Sequence, residues 1–257
     1  MSESIMTGQQ YWDERPCNIR HSSFPVGTEQ FFDQVSARRY FVEHHIKEFM
    51  GDNRNKTVLE IGCGIGTDAH EFIKQGANYF GIDSSEESIR IAKLRNPEGM
   101  FICGNAEEIL FQNTSFDLIY SFGVIHHTEN PDLILQNIRK VSDPYTRIKI
   151  MLYSRYSIKY FWLQLKYGST ALKYTEAQAN CPISRVYSKS EILKLFKRNG
   201  LKVTKIKKDF IFPYKVEDYI RYKYTKKWYY RFLPKFVFRS LERTFGWNWL
   251  IECRLEE

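Results

Sequence analysis

Three short stretches of the chain hold residues whose type and spacing suit work on a nucleotide-like ligand. The first is Glu60-Ile-Gly62-Cys63-Gly64-Ile-Gly66, an acid and three alternating glycines directly after the apolar run from Thr57. A glycine turn at a strand end lets the backbone come close to a ligand, because no side chain stands between them. The second is Asp83 with Ser84, closing another apolar run 17 positions beyond Gly66. A carboxylate there can accept both hydroxyls of a ribose. The third is Gly104-Asn105-Ala106-Glu107, where a side-chain amide and a backbone N–H can face an adenine edge. Each also has an ordinary structural reading, as a bare turn, a helix-capping loop aspartate or a polar loop.

The glycine spacing and its preceding acid separate two ligand classes. G-x-G-x-x-G seats a pyrophosphate on a helix N-terminus, which is the nicotinamide-dinucleotide solution. Here the spacing is Gly62-x-Gly64-x-Gly66, and Glu60 would repel a pyrophosphate while suiting a cationic or amino-bearing ligand. S-adenosylmethionine carries an amino group and a sulfonium and no phosphate. The motif alone leaves a nicotinamide cofactor and an unliganded turn open. Three such elements at the ends of three consecutive strands converge on the crevice where open parallel sheets bind ligands.

His126-His127, in Val124-Ile-His-His-Thr-Glu129, follows a fourth apolar run. An imidazole titrates near neutrality and suits a general base, with His126 the first candidate and His127 the second. Local packing of the pair is the competing reading. Tyr153, Ser154 and Arg155 end a fifth run and are placed to touch an acceptor. Tyr11, Trp12 and Arg20 belong to a leading segment that can fold over the site, and His44 and His45 are read as surface residues of an N-terminal helix. No cluster has metal-ligand spacing, so the expected reaction is metal-independent.

Apolar runs alternating with helical periods must position these residues. Strands are predicted at Thr57–Ile61, Tyr79–Ile82, Met100–Cys103, Phe116–Phe122, Tyr145–Tyr153, Leu201–Phe210 and Trp247–Arg254. One long amphipathic helix is expected from Thr28 to about Met50, and others over Gly66–Gln75, Ser85–Arg95, Pro131–Val141, Ile158–Tyr174 and Ser188–Asn199. The first thirty residues look irregular. This pattern predicts a single α/β domain with a mostly parallel seven-stranded sheet and helices on both faces. Residues 1–55 would form a lid segment and helix, 56–155 the cofactor-binding core, and 156–257 an acceptor-side half carrying helical lid insertions.

The sequence is similar to the class I, Rossmann-like methyltransferases, in particular bacterial small-molecule methyltransferases. Val58-Leu-Glu-Ile-Gly-Cys-Gly-Ile-Gly-Thr67, Gly81-Ile-Asp-Ser-Ser85, Gly104-Asn-Ala-Glu107 and Ser115-Phe-Asp-Leu-Ile-Tyr-Ser-Phe-Gly-Val-Ile-His-His127 carry the resemblance. It covers residues 30 to 155 closely, and Tyr187–Ile192 and Gly246–Ile251 more loosely. It implies S-adenosylmethionine as cofactor, with S-adenosylhomocysteine as its product. Glu60, Gly62 and Gly64 would surround the methionine part, Asp83 would hold the ribose, and Asn105 with Ala106 would frame the adenine, with Cys63 and Ser84 as further cofactor-binding residues. The family usually has Asp where this chain has Asn105, whose carbonyl oxygen can still accept from the adenine amino group.

Bulk properties narrow the setting. The chain has 257 residues, 43% hydrophobic and 26% charged, as a globular domain does. It has no apolar run long enough to cross a membrane. A polar Met1–Gln10 and five scattered cysteines point to a reduced, cytoplasmic setting. Formal charge is +8, and residues 211–246 hold nine Lys or Arg against three acids, interleaved with twelve aromatics. Four readings of that segment stay open: a lid whose aromatics pack on the sheet, an acceptor site for an anion, a membrane contact through 233–247, and, lower, nucleic-acid binding. The expectation is methyl transfer to a small, anionic acceptor, phosphorylated or nucleotide-linked, in bacterial glycan or specialised-metabolite biosynthesis, with oxygen favoured over nitrogen. An RNA- or ribosome-directed methyltransferase and a non-catalytic cofactor-binding module are the alternatives.

Overall fold

The computed structural model describes residues 7–108, 115–176 and 181–256, so Met1–Met6 of the polar leading stretch lie outside it. Seven strands form one sheet: β1 (Thr57–Ile61), β2 (Asn78–Asp83), β3 (Met100–Cys103), β4 (Leu118–Phe122), β5 (Arg147–Tyr153), β6 (Leu201–Asp209) and β7 (Asn248–Leu255). Their order is β3-β2-β1-β4-β5-β7-β6. Only β7 is antiparallel to its neighbours, β5 and β6. The helices are α1 (Gly8–Glu14), α2 (Glu29–Val42), α3 (His45–Met50), α4 (Thr67–Lys74), α5 (Glu86–Arg95), α6 (Pro131–Lys140), α7 (Ile158–Tyr167), α8 (Lys189–Arg198), α9 (Val216–Ile220), α10 (Trp228–Arg231) and α11 (Lys235–Phe245).

Strand alternation divides the core in two, one half on each face of the sheet. Val58, Leu118, Tyr120 and Met151 pack with α3, α4 and α5 through Phe49, Phe72 and Ile89. Their chain neighbours Leu59, Ile119, Ile150 and Leu152 pack with α6 and α8 through Leu135, Ile138 and Phe196. This is the Rossmann-like arrangement that the alternating pattern predicts. The strand order reverses between β1 and β4, and a crevice opens there at the carboxyl ends of the strands, where such sheets take their ligands.

Three local expectations are corrected. The predicted helix from Thr28 to Met50 is two helices broken at Glu43 and His44. The break turns His45 inward: it is 1% exposed and pairs through Nε2 with Asn248 Nδ2 at 3.1 Å, so it is not a surface residue. The leading segment holds α1, whose capping box joins Thr7 and Gln10. Asp13 of α1 accepts from Ser85 Oγ and from the Glu87 N–H, both at 3.0 Å, and so docks on the start of α5. In the segment between β6 and β7, several aromatics lie against α2 instead of the sheet. Phe41 meets Tyr214 and Tyr224, and Arg38 lies under Tyr219 and Tyr222. Trp228, Phe232 and Phe236 remain exposed.

His44, Asp209 and Glu242, distant in sequence, bring potential ligand atoms within 4.8 Å of one another. The Arg239 guanidinium occupies their midst, with Nη1 3.2 Å from Asp209 and 2.8 Å from Glu242 and donating to His44 as well. The cluster is an ion-pair network that fastens α11 to β6 and to the break between α2 and α3.

One buried ion pair fixes α2 over the glycine turn. Arg39 donates from Nε and Nη2 to the two oxygens of Asp68, at 2.9 and 2.7 Å. Tyr40 and Tyr120 add their hydroxyls to the same carboxylate at 2.8 and 3.3 Å. Four donors satisfy this buried carboxylate, and losing it strands a charged guanidinium. Asp68→Ala is therefore expected to lower unfolding free energy by about 3–5 kcal/mol in urea titration. A loss below about 1 kcal/mol would show that the pair does not anchor α2.

Candidate active site

The site begins at the turn from β1 into α4. Gly62 has φ +75°, and a Cβ there would meet Val124 Cγ2 at 2.1 Å, so only glycine fits. Gly64 has φ +51°, and a Cβ there would meet nothing within 4 Å. The space above Gly64 is the floor of a cavity. Asp83, at the end of β2, accepts the Gly64 N–H at Oδ2 (2.8 Å) and the Ser85 N–H at Oδ1 (3.0 Å). These bonds fix the carboxylate at the rim and leave further lone pairs for hydroxyl donors. Burial lifts its pKa above the ordinary carboxylate value, against these backbone bonds.

Glu60, 3% exposed, accepts the Tyr79 hydroxyl at 2.5 Å. Burial, and after it the charge of Asp68, hold its carboxyl well above the usual carboxylate range. A buried acid short of positive charge is a site that an ammonium or sulfonium would relieve. Cys63 is buried beneath the turn, and its N–H donates to Ile82 O at 3.1 Å. Ser84, Asn105 and Ala106 lie on the same wall. Asn105 is exposed, and its Oδ1 already accepts the Glu107 N–H at 3.0 Å. One lone pair remains on that oxygen for an adenine amino group. The structure thus brings together all eight residues that the sequence picks for the cofactor.

The cavity measures about 860 Å³ and runs from this wall to His127, Tyr153, Lys159 and Glu176, with Tyr11 and Trp12 of α1 over it. That volume suits a cofactor and a second small molecule together. The order of the two histidine candidates is reversed. His126 is fully buried, off the cavity wall, and packed 3.7 Å from the Tyr153 ring. Burial, and then the charge of His127, push it well below its ordinary range, so it stays neutral. In the tight turn Ile125–His127 neighbouring side chains point apart, and only His127 faces the cavity. Ser154 is buried, and Arg155 turns outward to Glu191 at 2.8 Å, so of that trio only Tyr153 reaches the site.

Glu176 and Lys159 escape sequence reasoning because nothing in their local pattern marks them; tertiary contacts do. The Tyr153 hydroxyl donates to Glu176 Oε1 at 2.6 Å, and His127 Nε2 stands 3.4 Å from the same oxygen. That distance makes an ion pair without hydrogen-bond alignment. On its other side His127 Nδ1 lies 2.7 Å from the Ile183 carbonyl, which assigns it a proton. Burial works against a charged His127, but contacts with Cys181 and Glu176 prevail and lift it to about 10. Glu176 moves the opposite way: despite burial, His127 first and Lys159 after it hold its carboxyl well below its ordinary range. The pair is imidazolium and carboxylate at neutral pH, and His127 is therefore not free to take a proton.

The sheet order, the glycine turn and the crevice define a class I, Rossmann-like methyltransferase domain, the class that uses S-adenosylmethionine. A family model described as a methyltransferase domain matches residues 35–206, and the chain belongs to that family. It is 30% identical over 128 residues to a ubiquinone biosynthesis O-methyltransferase of Mesorhizobium japonicum, covering 48% of this chain and 50% of the relative. It is 31% identical over 123 residues to a sterol 24-C-methyltransferase of Pneumocystis carinii, covering 45% of this chain and 32% of that protein. The chain thus spans from a third to a half of the length of these curated relatives. Its fold is similar to magnesium protoporphyrin IX methyltransferase of Synechocystis, solved with bound S-adenosylhomocysteine, with a TM-score of 0.59 at 13% identity over 97% of this chain and 98% of the other.

The charged pair carries a signature in pH. His127 is raised from 6.5 to about 10 on folding, so its stabilisation is complete below about pH 6.5 and is lost as pH rises through about 10. Carbon-detected NMR should show His127 as imidazolium at pH 8. In Glu176→Gln the carboxylate is lost while burial and the Cys181 contact remain, so the His127 pKa should fall below that of the unmodified protein. A neutral His127 at pH 8 in the unmodified protein would overturn the ion pair.

Proposed function

We propose that the protein transfers the methyl group of S-adenosylmethionine to an oxygen of a small, anionic acceptor. The observation that carries this reading is one continuous cavity with a glycine-turn cradle at one end and the His127–Glu176–Tyr153 cluster at the other. Glu60 fits the positive end of such a cofactor, Asp83 its ribose, and Asn105 with Ala106 its adenine. When bound, the cofactor supplies an electrophilic methyl group on a sulfonium, open to in-line displacement. Positioning supplies much of the acceleration in such a step. His127, carried as an imidazolium by Glu176, is suited to hold an acceptor oxygen that has already given its proton to solvent; Tyr153 braces Glu176, and Trp12 packs edge-on to His127 at 5.3 Å. The general-base role expected of the histidines gives way to oxyanion stabilisation.

The O-methyltransferase named among the relatives supports oxygen as the reacting atom. The charge balance of the acceptor end supports an acceptor that arrives as an anion, of the kind found in bacterial glycan or specialised-metabolite biosynthesis.

Calorimetric titration tests the cofactor half. S-adenosylhomocysteine should bind saturably and NAD should not, and Asp83→Asn should weaken the former by about tenfold through loss of a charged hydrogen bond. Binding of NAD in preference to S-adenosylhomocysteine would end this reading. On the acceptor side, S-adenosylhomocysteine should form with hydroxylated carboxylates or phosphates, and His127→Asn should slow that formation by about 100-fold.

A further inference from the structure

We propose that Arg38 is the receptor for a carboxylate or phosphate group that the methyl acceptor carries away from its reacting atom. The inference rests on the methyltransferase reading of the cavity and adds the chemical class that its acceptor end selects.

Arg38 lies on α2, is 3% exposed and lines the cavity. A guanidinium stays charged at any pH at which the protein is folded, so its burial calls for compensation. Its neighbour Arg39 has that compensation, with Asp68 at 2.7 Å and Glu43 at 3.7 Å. Arg38 has no carboxylate partner among the described residues. One donor, Nη2, is used on the Tyr219 carbonyl at 2.6 Å, while Nε and Nη1 are buried with no partner. The rings of Tyr219 and Tyr222 cover the guanidinium, 3.8 and 4.5 Å from its central carbon.

The result is a cation with its flat faces shielded by aromatics and two edge donors unused. Two edge donors are what a guanidinium offers to a planar or tetrahedral oxyanion. A second group points the same way. His21 lines the same cavity, its Nε2 lies 3.4 Å from the Tyr219 hydroxyl, and its Nδ1 is buried without a partner. Burial, and then the charges of Arg38 and Arg39, drive His21 down to about 3, so it is a neutral ring able to donate one N–H.

The aromatic faces that hold Arg38 come from elsewhere than the cofactor cradle. Tyr219 and Tyr222 belong to the segment between β6 and β7, not to the glycine turn. The basic excess of that segment first suggests an anion site built from its own Lys and Arg. The geometry assigns the cation to α2 instead, with the segment contributing the aromatic faces that hold it.

The test titrates the full chain, saturated with S-adenosylhomocysteine, with benzoate, phenyl phosphate and neutral benzamide. Benzoate or phenyl phosphate should bind saturably and benzamide should not, and the tighter of the two anions identifies the oxyanion preferred. Arg38→Gln should weaken the anion by at least about tenfold, and Arg38→Lys should fall between, with S-adenosylhomocysteine affinity unchanged in both. Unchanged cofactor affinity also certifies that the variants fold. Equal binding of benzamide, or full anion affinity in Arg38→Gln, would overturn the proposal. So would parallel loss of S-adenosylhomocysteine, because the guanidinium would then serve the carboxylate of the cofactor. Failure of the underlying reading looks different: the unmodified protein would bind the anions in an Arg38-dependent way without binding S-adenosylhomocysteine.

Discussion

The bidentate pair between Arg39 and Asp68 is the constraint on which the site depends. It joins α2, which the chain makes before the sheet, to the first turn of α4, which the glycine turn launches. Tyr120 extends the junction to β4, on the other side of the strand-order reversal. Three elements that border the cavity are thereby held by one carboxylate. Arg38 and Glu43, which flank Arg39 on α2 and just beyond it, take their places on the cavity wall from this anchor. A buried pair of this kind contributes less to net stability than to choosing one arrangement over its neighbours, since desolvation offsets much of the attraction.

Charge is distributed unevenly along the cavity. The cofactor end holds a buried Glu60 and a half-buried Asp83, both acids lifted above their ordinary range. Elsewhere the cavity holds His127 and Glu176, which pair with Lys159 nearby, and Arg38, which has no carboxylate partner among the described residues. A sulfonium is favoured at the first end, and the proposed anionic acceptor would suit the second. Attraction between two such ligands in one low-dielectric space would add to the hold that the protein has on each.

Much of the fold is legible in the sequence, because the central parallel strands β1, β4 and β5, buried on both faces, read as apolar runs with abrupt ends. Strand β3 is found to the residue, and Gly62, Gly64 and Asp83 follow from the turn they serve. What escapes is set by contacts between distant segments. Helix α1 is seven residues of polar sequence, stabilised by its capping box and by Asp13 on α5, and no apolar period announces it. The break near Glu43 is fixed where His45 turns in to Asn248, a partner two hundred residues later. His126 and His127 are indistinguishable by residue type, and only the geometry of the tight turn tells which one faces the cavity. Glu176, Lys159 and Arg38 are ordinary charged residues until the fold closes around them.

The segment between β6 and β7 leaves and rejoins the sheet at one point. The Trp247 N–H donates to the Phe210 carbonyl at 2.8 Å, and β6 and β7 are already paired beside it. Its two ends are therefore joined whatever lies between them, and lengthening it costs little closure entropy and disturbs no strand register. Cradle and roof are in this sense separable: the roof can change in length while the cradle is retained. Variation in the walls of the cavity has a ready locus there, at a place where the chain can lose or gain a helix without the sheet responding.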